Sequence, residues 1–466
     1  MKRLLLPVVL GILGVQAMAQ LRLPAVLCSN MVLQQNDSVM LWGWGYNLQN
    51  VQIHTSWNAT TTSTRVSNQG HWKTKLKTPA AGGPYLLTIS SGGVVLTLDN
   101  VMIGEVWLCS GQSNMEWNYY NNPKTVGAEL TNARNPAIRF FQVPRTASAW
   151  PQDDVKGAWT ICDNNTLKQF SAVGYFFGKT LHQQLGVPIG LINASWGGTP
   201  TEVWTPAEEI YNNSMLKAAA EKLREVPWCP VTPGLLYNGM VHPISNYNIA
   251  GAIWYQGEGN TANAETYHLG FSTLLAQWRK AWKKIFPMYY VQIAPFAYGR
   301  PFEGAIVREQ QQLAAALPKV GMVVVADLID SLTDIHPGNK KDVGLRLANY
   351  ALVKTYGKNV GAYQSPTFEG ATLTGKTVTI VVAQAPQGLV QRGPSLTGFL
   401  ICGADGIWLP ASGTIKGNNI VLWNDAVPMP THVRYCFSNT GVGNVFSAEG
   451  LPLAPFRTDN WPIVLQ

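Results

Sequence analysis

The residues most suited to chemistry are small polar ones placed where apolar runs stop. In EVWLCSGQSNMEW the apolar run Val106–Cys109 ends at Ser110-Gly111, and Gln112, Ser113 and Asn114 follow. Further on, INASWGGTP sets Trp196-Gly197-Gly198 after another apolar run, and IWYQGEGN sets Gln256, Glu258 and Asn260 after a third. VVVADLIDSLTDIHPGNK sets Asp334 and His336 after a fourth. A serine, a Gly-Gly turn, an amide-rich turn and an Asp/His pair are the parts that acyl transfer requires. Serine is a weak nucleophile until a histidine takes its proton, and an acid commonly orients the imidazole. The developing oxyanion needs fixed donors, which backbone N–H groups at Ser113 and in the Gly-Gly turn, together with a side-chain amide, would supply.

For those turns to converge, the runs before them must be neighbouring strands. The apolar runs between Val101 and Gly357 alternate with helix-period stretches such as AVGYFFGKTLHQQL and YHLGFSTLLAQWRKAWKKI. That alternation predicts an α/β fold, a parallel sheet flanked by helices, with ligands gathered at the carboxyl ends of its strands. The flanks differ. Residues 20–100 and 358–466 alternate apolar and polar residues between Gly, Asn and Ser breaks, as in VQIHTSW, HWKTKLKT and KTVTIVVA, which predicts antiparallel β-sandwich-like regions at both ends.

The first nineteen residues read as a cleaved signal peptide. Lys2 and Arg3 precede the apolar stretch Leu4–Val15, and Ala17-Met18-Ala19 suits a cleavage site. No later run is long and unbroken enough for a membrane helix, so an exported, secreted or periplasmic protein is expected. The formal net charge of +8 is spread along the chain rather than gathered into a stripe, which argues against a nucleic-acid partner. Six cysteines form no C-x-x-C pair, and no H-E-x-x-H spacing occurs, so neither a metal nor another cofactor is expected. Oligomeric state and disulfide pairing are closed to the sequence.

The blocks GQSNM, NASWGGTPTEVW, LYNGMVHPIS, WYQGEGNT and DIHPGNK, in this order, resemble those of the sialate O-acetylesterase family within the SGNH-hydrolase superfamily. The likeness extends to LRLPAVLCSNMVLQ near the start and GLPLAPFRTDNW near the end. It implies an SGNH-like, flavodoxin-like sheet and a serine esterase that removes O-acetyl groups, foremost from sialic acids, through an acetyl-serine intermediate. Ser113 would be the nucleophile and His336 the general base. The N–H groups of Ser113 and Gly198 and the amide of Gln256 would form the oxyanion hole. Two departures leave alternatives open. The usual G-x-N-D turn is replaced by QGEGN, so Gln256 and Asn260 compete as the amide donor. The position three before the histidine is Thr333, so Asp334, Asp327, Asp330 and Glu258 compete as the acid, beside a plain Ser–His dyad. Gln112, Asn114, Trp196, Asn260 and Arg308 are the candidate substrate contacts. Trp117, Tyr119 and Tyr120 are further flat faces for a sugar ring, and Arg308 could hold a substrate carboxylate or be a surface helix charge. Competing readings are an esterase of acetylated polysaccharide such as xylan, a glycoside hydrolase built on Glu258 and Asp334, and a non-catalytic glycan-binding protein.

Overall fold

The computed structural model of the chain describes residues 21–463, so the leader expected over residues 1–19 lies outside the described residues. Its organising element is the strand β1, Val94–Gly111. Over its first half β1 pairs antiparallel with Gly82–Ser91, in a sheet that also contains Asn50–Thr55. Over its second half it is fully buried and pairs in parallel on both sides. The sequence marks the change: VVLTLDN alternates, as a half-exposed strand does, whereas GEVWLCS is nearly continuous. The boundary expected at residue 100 falls inside this one strand.

The remaining strands of the central sheet are β2 (Asn135–Gln142), β3 (Trp159–Cys162), β4 (Ile189–Ser195), β5 (Gly251–Tyr255), β6 (Met288–Val291) and β7 (Val320–Val323). Their spatial order is β7-β6-β5-β1-β4-β2-β3, parallel except for β3. Taken without the edge pair β2–β3, the five parallel strands follow the flavodoxin-like order 2-1-3-4-5, whose direction reverses beside β1. The expected α/β class and SGNH-like sheet are therefore present. The edge pair was not foreseen.

Alternate residues of β1 serve two cores. Val106 and Leu108 point into the layer that also holds Trp204, Trp254, Phe271 and Trp278. Trp107 and Cys109 point into the layer holding Phe177, Tyr289, Leu347 and Ala351. Each buried side chain of this size stabilises the fold by roughly 1.5–3 kcal/mol relative to exposure. The second layer is closed by the helices Ala172–Leu185 and Lys340–Lys354, the first by Tyr267–Trp282 and Glu303–Ala314. The C-terminal region forms two four-stranded antiparallel sheets and one two-stranded sheet around its own core. It is clasped to the α/β region by Arg457 on Glu309, with N···O at 2.6 Å. None of the six cysteines forms a disulfide, and five are buried, where a thiol packs as a small hydrophobe.

Candidate active site

Three central strands end at one level: Gly111 pairs with Ser195 of β4 on one side and Tyr255 of β5 on the other. The turns after them therefore share one edge, at the switch point where such sheets place ligands. Gly111 has φ +135°, and a Cβ there would lie 2.2 Å from the Tyr255 carbonyl oxygen, so only glycine lets β1 finish against β5. One residue later Gln112 donates its N–H to that same carbonyl and begins a single helical turn, α1, Ser113–Glu116.

This turn presents Ser113 to His336, whose Nε2 lies 2.9 Å from Ser113 Oγ. The imidazole stacks on the Trp117 indole with centroids 4.2 Å apart and 22° between the planes. Burial, and then the ammonium of Lys340, lower its pKa to about 4 against the opposing pull of Asp334. The ring is thus an unprotonated base across the neutral range. Among the described residues, neither the Ser113 N–H nor the Gly198 N–H has a hydrogen-bond acceptor. Gly198 sits at φ +81° beside Trp228. Gly198 follows Gly197, where an added Cβ would lie 3.2 Å from Ser113 Cβ, so the two free N–H groups belong to turns that meet at the serine.

Several expected residues do other work. Asp334 accepts from the backbone N–H of His336 at 2.8 Å and does not bond the ring, because the intervening residue folds its carboxylate back onto the peptide. Asp327 is clamped by Arg346, Asp330 accepts from the Gly338 N–H, and Glu258 accepts from Asn114. No carboxylate among the described residues hydrogen-bonds His336's imidazole, so the geometry is that of a Ser–His dyad with an aromatic support. Gln256 is fully buried and donates both amide protons, to the Thr199 carbonyl and to Asn260 Oδ1, which leaves none for an oxyanion. Asn260 is engaged in turn with Thr201, Glu202 and Asn263, so it is a strut under the site and not a substrate contact.

Gln112 and Asn114 are also braces. The Gln112 side-chain oxygen, Oε1, accepts from the N–H groups of Gly257 and Gly259. Asn114 donates to Glu258 and to the Ile335 carbonyl and accepts from Lys340 Nζ, tying the serine's turn to the histidine's loop. Arg308 is 1% exposed and donates to the carbonyls of Ser438 and Asn439, where it anchors the C-terminal region far from any role in binding substrate. Trp196 remains at the mouth, half-buried.

Three residues were missed. Lys340 is wholly buried and its pKa is lowered by that burial to about 7, against the pull of Glu258, Asp334 and Asp330. Glu116 accepts from the Gly197 N–H at 2.9 Å and from Arg145 Nε at 2.6 Å. A lysine four residues after the histidine, at a helix start, was the one signal available for Lys340. Nothing local pairs Glu116 with Arg145.

A flavodoxin-like sheet with these turns at its carboxyl edge places the chain among the carbohydrate esterases of the SGNH type. The family description "Carbohydrate esterase, sialic acid-specific acetylesterase" matches residues 103–352. The chain is similar to sialate O-acetylesterases of Rattus norvegicus (28% identical, covering 84% of each chain) and Homo sapiens (27%, covering 87% of this chain and 85% of that one). A crystal structure of a carbohydrate acetylesterase from Xanthomonas citri superposes with a TM-score of 0.86 at 34% identity, covering 95% of this chain and all of the other. The chain belongs to the sialic acid-specific acetylesterase family of carbohydrate esterases. It is an enzyme that hydrolyses O-acetyl esters of sugars. No helix among the described residues is long and apolar enough to cross a membrane.

Proposed function

We propose that the protein removes O-acetyl groups from sialic acids through an acetyl-Ser113 intermediate, in an extracytoplasmic compartment reached by way of the leader. The observation that carries the mechanism is the 2.9 Å contact between Ser113 Oγ and the neutral His336 Nε2. Ser113 Oγ attacks the acetyl carbonyl carbon while His336 Nε2 takes its proton. The negative oxygen so formed faces the N–H groups of Ser113 and Gly198, fixed donors of the kind whose loss typically costs on the order of 100- to 1,000-fold in rate. Collapse breaks the ester bond, and the departing sugar oxygen takes the proton from His336. A water molecule then gives a proton to His336 and attacks the acetyl-enzyme, and acetate leaves with Ser113 reprotonated. The sialic acid substrate is supported by the family description and by the similarity to sialate O-acetylesterases.

The test is acetate release by wild type and Ser113→Ala on O-acetylated sialic acid and on acetylated xylan. Release from sialic acid that the substitution abolishes is expected. Release from xylan alone would overturn the substrate and leave the mechanism, and acetate release by Ser113→Ala at the wild-type rate would overturn the mechanism.

A further inference from the structure

The mouth of the site carries an exposed cation that the acyl-transfer chemistry does not use. Arg145 follows β2 and donates through Nε to Glu116, the last residue of the serine's own turn. Glu116 turns its other oxygen onto the Gly197 N–H, so its charge is held inward by two donors. The Arg145 side chain is 52% exposed, and its two terminal nitrogens have no partner among the described residues. The guanidinium therefore offers its outer edge to solvent, the edge that receives a carboxylate with two parallel hydrogen bonds.

Its distance from the reacting atoms is set by the same contacts. A Cβ placed on Gly197 would lie 3.2 Å from Ser113 Cβ and 3.3 Å from Glu116 Oε2, so the carboxylate holding Arg145 is next to the nucleophile. The guanidinium also lies over the Trp196 ring, 5.7 Å from its centroid. Trp228, 63% exposed, borders the Gly198 turn, and its backbone carbonyl accepts from the Trp196 indole N–H. Two aromatic faces and one forked cation thus surround the place where the sugar bearing the acetyl group must lie. Aromatic rings suit the apolar face of any sugar, whereas the fork discriminates.

We infer that Arg145 is a specificity-determining residue that binds a carboxylate on the acetylated sugar, so that the enzyme selects acidic sugars over neutral ones. The inference rests on Ser113 being the nucleophile and deepens the reading given above. The recognised group is the carboxylate, which sialic acids and acetylated uronic acids share. A charge-assisted pair of this kind typically contributes roughly tenfold or more in binding.

The experiment measures kcat and KM for O-acetylated sialic acid, acetylated galacturonic acid and the methyl ester of each, with wild type, Arg145→Ala and Arg145→Lys. Wild type is expected to favour the free acid over its methyl ester by at least about tenfold in kcat/KM, mainly through KM. Arg145→Ala should bring that ratio to within about twofold of unity, with Arg145→Lys in between, since lysine keeps the charge and loses the fork. The acid that shows the ratio identifies the source of the carboxylate. An equal preference in wild type and Arg145→Ala, or a wild type indifferent to methylation, overturns the inference. The wild-type ratio decides even if the alanine variant does not fold. Serine-dependent release from neutral acetylated xylan alone overturns Arg145's role but leaves the esterase mechanism standing. Release from none of these sugars removes the sialic acid reading and this inference together.

Discussion

The His336 imidazole lies flat on the Trp117 indole, while the Asp334 carboxylate two residues away bonds the histidine's backbone N–H and not its ring. Orientation of the base therefore falls to an aromatic face and to the brace Asn114 makes on the Ile335 carbonyl.

The first prediction separates these roles. Asp334→Ala should keep kcat within about tenfold of wild type, far from the roughly 10,000-fold lost when a true triad acid is replaced. Trp117→Ala should cost more than Asp334→Ala, and Trp117→Phe should recover much of the loss because it restores a flat face. A thousandfold fall in kcat for Asp334→Ala would instead show that its carboxylate reaches the ring during turnover.

The pH profile provides a second check with two opposite signs. Burial and then the Lys340 ammonium lower the pKa of His336, Asp334 raises it, and the balance stands at about 4. The base is the unprotonated form, so kcat/KM should be level through neutral pH and fall as pH drops through the region of 4. Removing the positive charge with Lys340→Met should move that limb to higher pH. Removing the negative one with Asp334→Asn should move it to lower pH. Shifts in the same direction for both variants would contradict this charge balance.

Gly198 supplies a third. Its φ of +81° and the 2.9 Å between a would-be Cβ and Trp228 Nε1 leave no room for a side chain without moving the turn. Gly198→Ala should reduce kcat by on the order of 100-fold with little change in KM, as expected for loss of one oxyanion donor. A loss confined to KM would assign the turn to substrate binding instead.

Glu116 joins the serine's turn to the Gly197-Gly198 turn through a single carboxylate. Glu116→Ala leaves the Gly197 N–H without its acceptor and frees the two turns from each other, and kcat should fall about tenfold. Glu116→Gln retains an acceptor oxygen and should lie between that variant and wild type. Equal kcat in all three enzymes would show that the link is dispensable.

Much of this was legible because it is written in local pattern. The continuous run GEVWLCS before Ser113, the apolar runs before Gly197 and Gln256, and the serine and histidine blocks lead to the sheet and to its reactive edge. What escaped was direction. Gln112, Asn114, Gln256 and Asn260 are amides beside the serine, and residue type cannot say whether an amide faces substrate or a neighbouring turn. Their partners, such as Glu258 for Asn114 and Glu202 for Asn260, lie 144 and 58 residues away. Arg308 looked like a usable cation until the C-terminal region covered it. The strand β2, next to the edge, escaped because NPAIRFFQ contains a proline and an arginine. That arginine, Arg139, is buried with the Pro136 carbonyl and the side-chain oxygens of Asn30 and Asn100 accepting from it.

The continuity of β1 has a mechanical consequence. Eighteen residues of strand make a rod on the order of 60 Å long, rooted in the N-terminal β region and carrying Ser113 just beyond its tip. Cutting the chain between the two regions would sever that rod and not a tether. The N-terminal β region is therefore the foundation of the turn that bears Ser113, and the two should melt in one cooperative step.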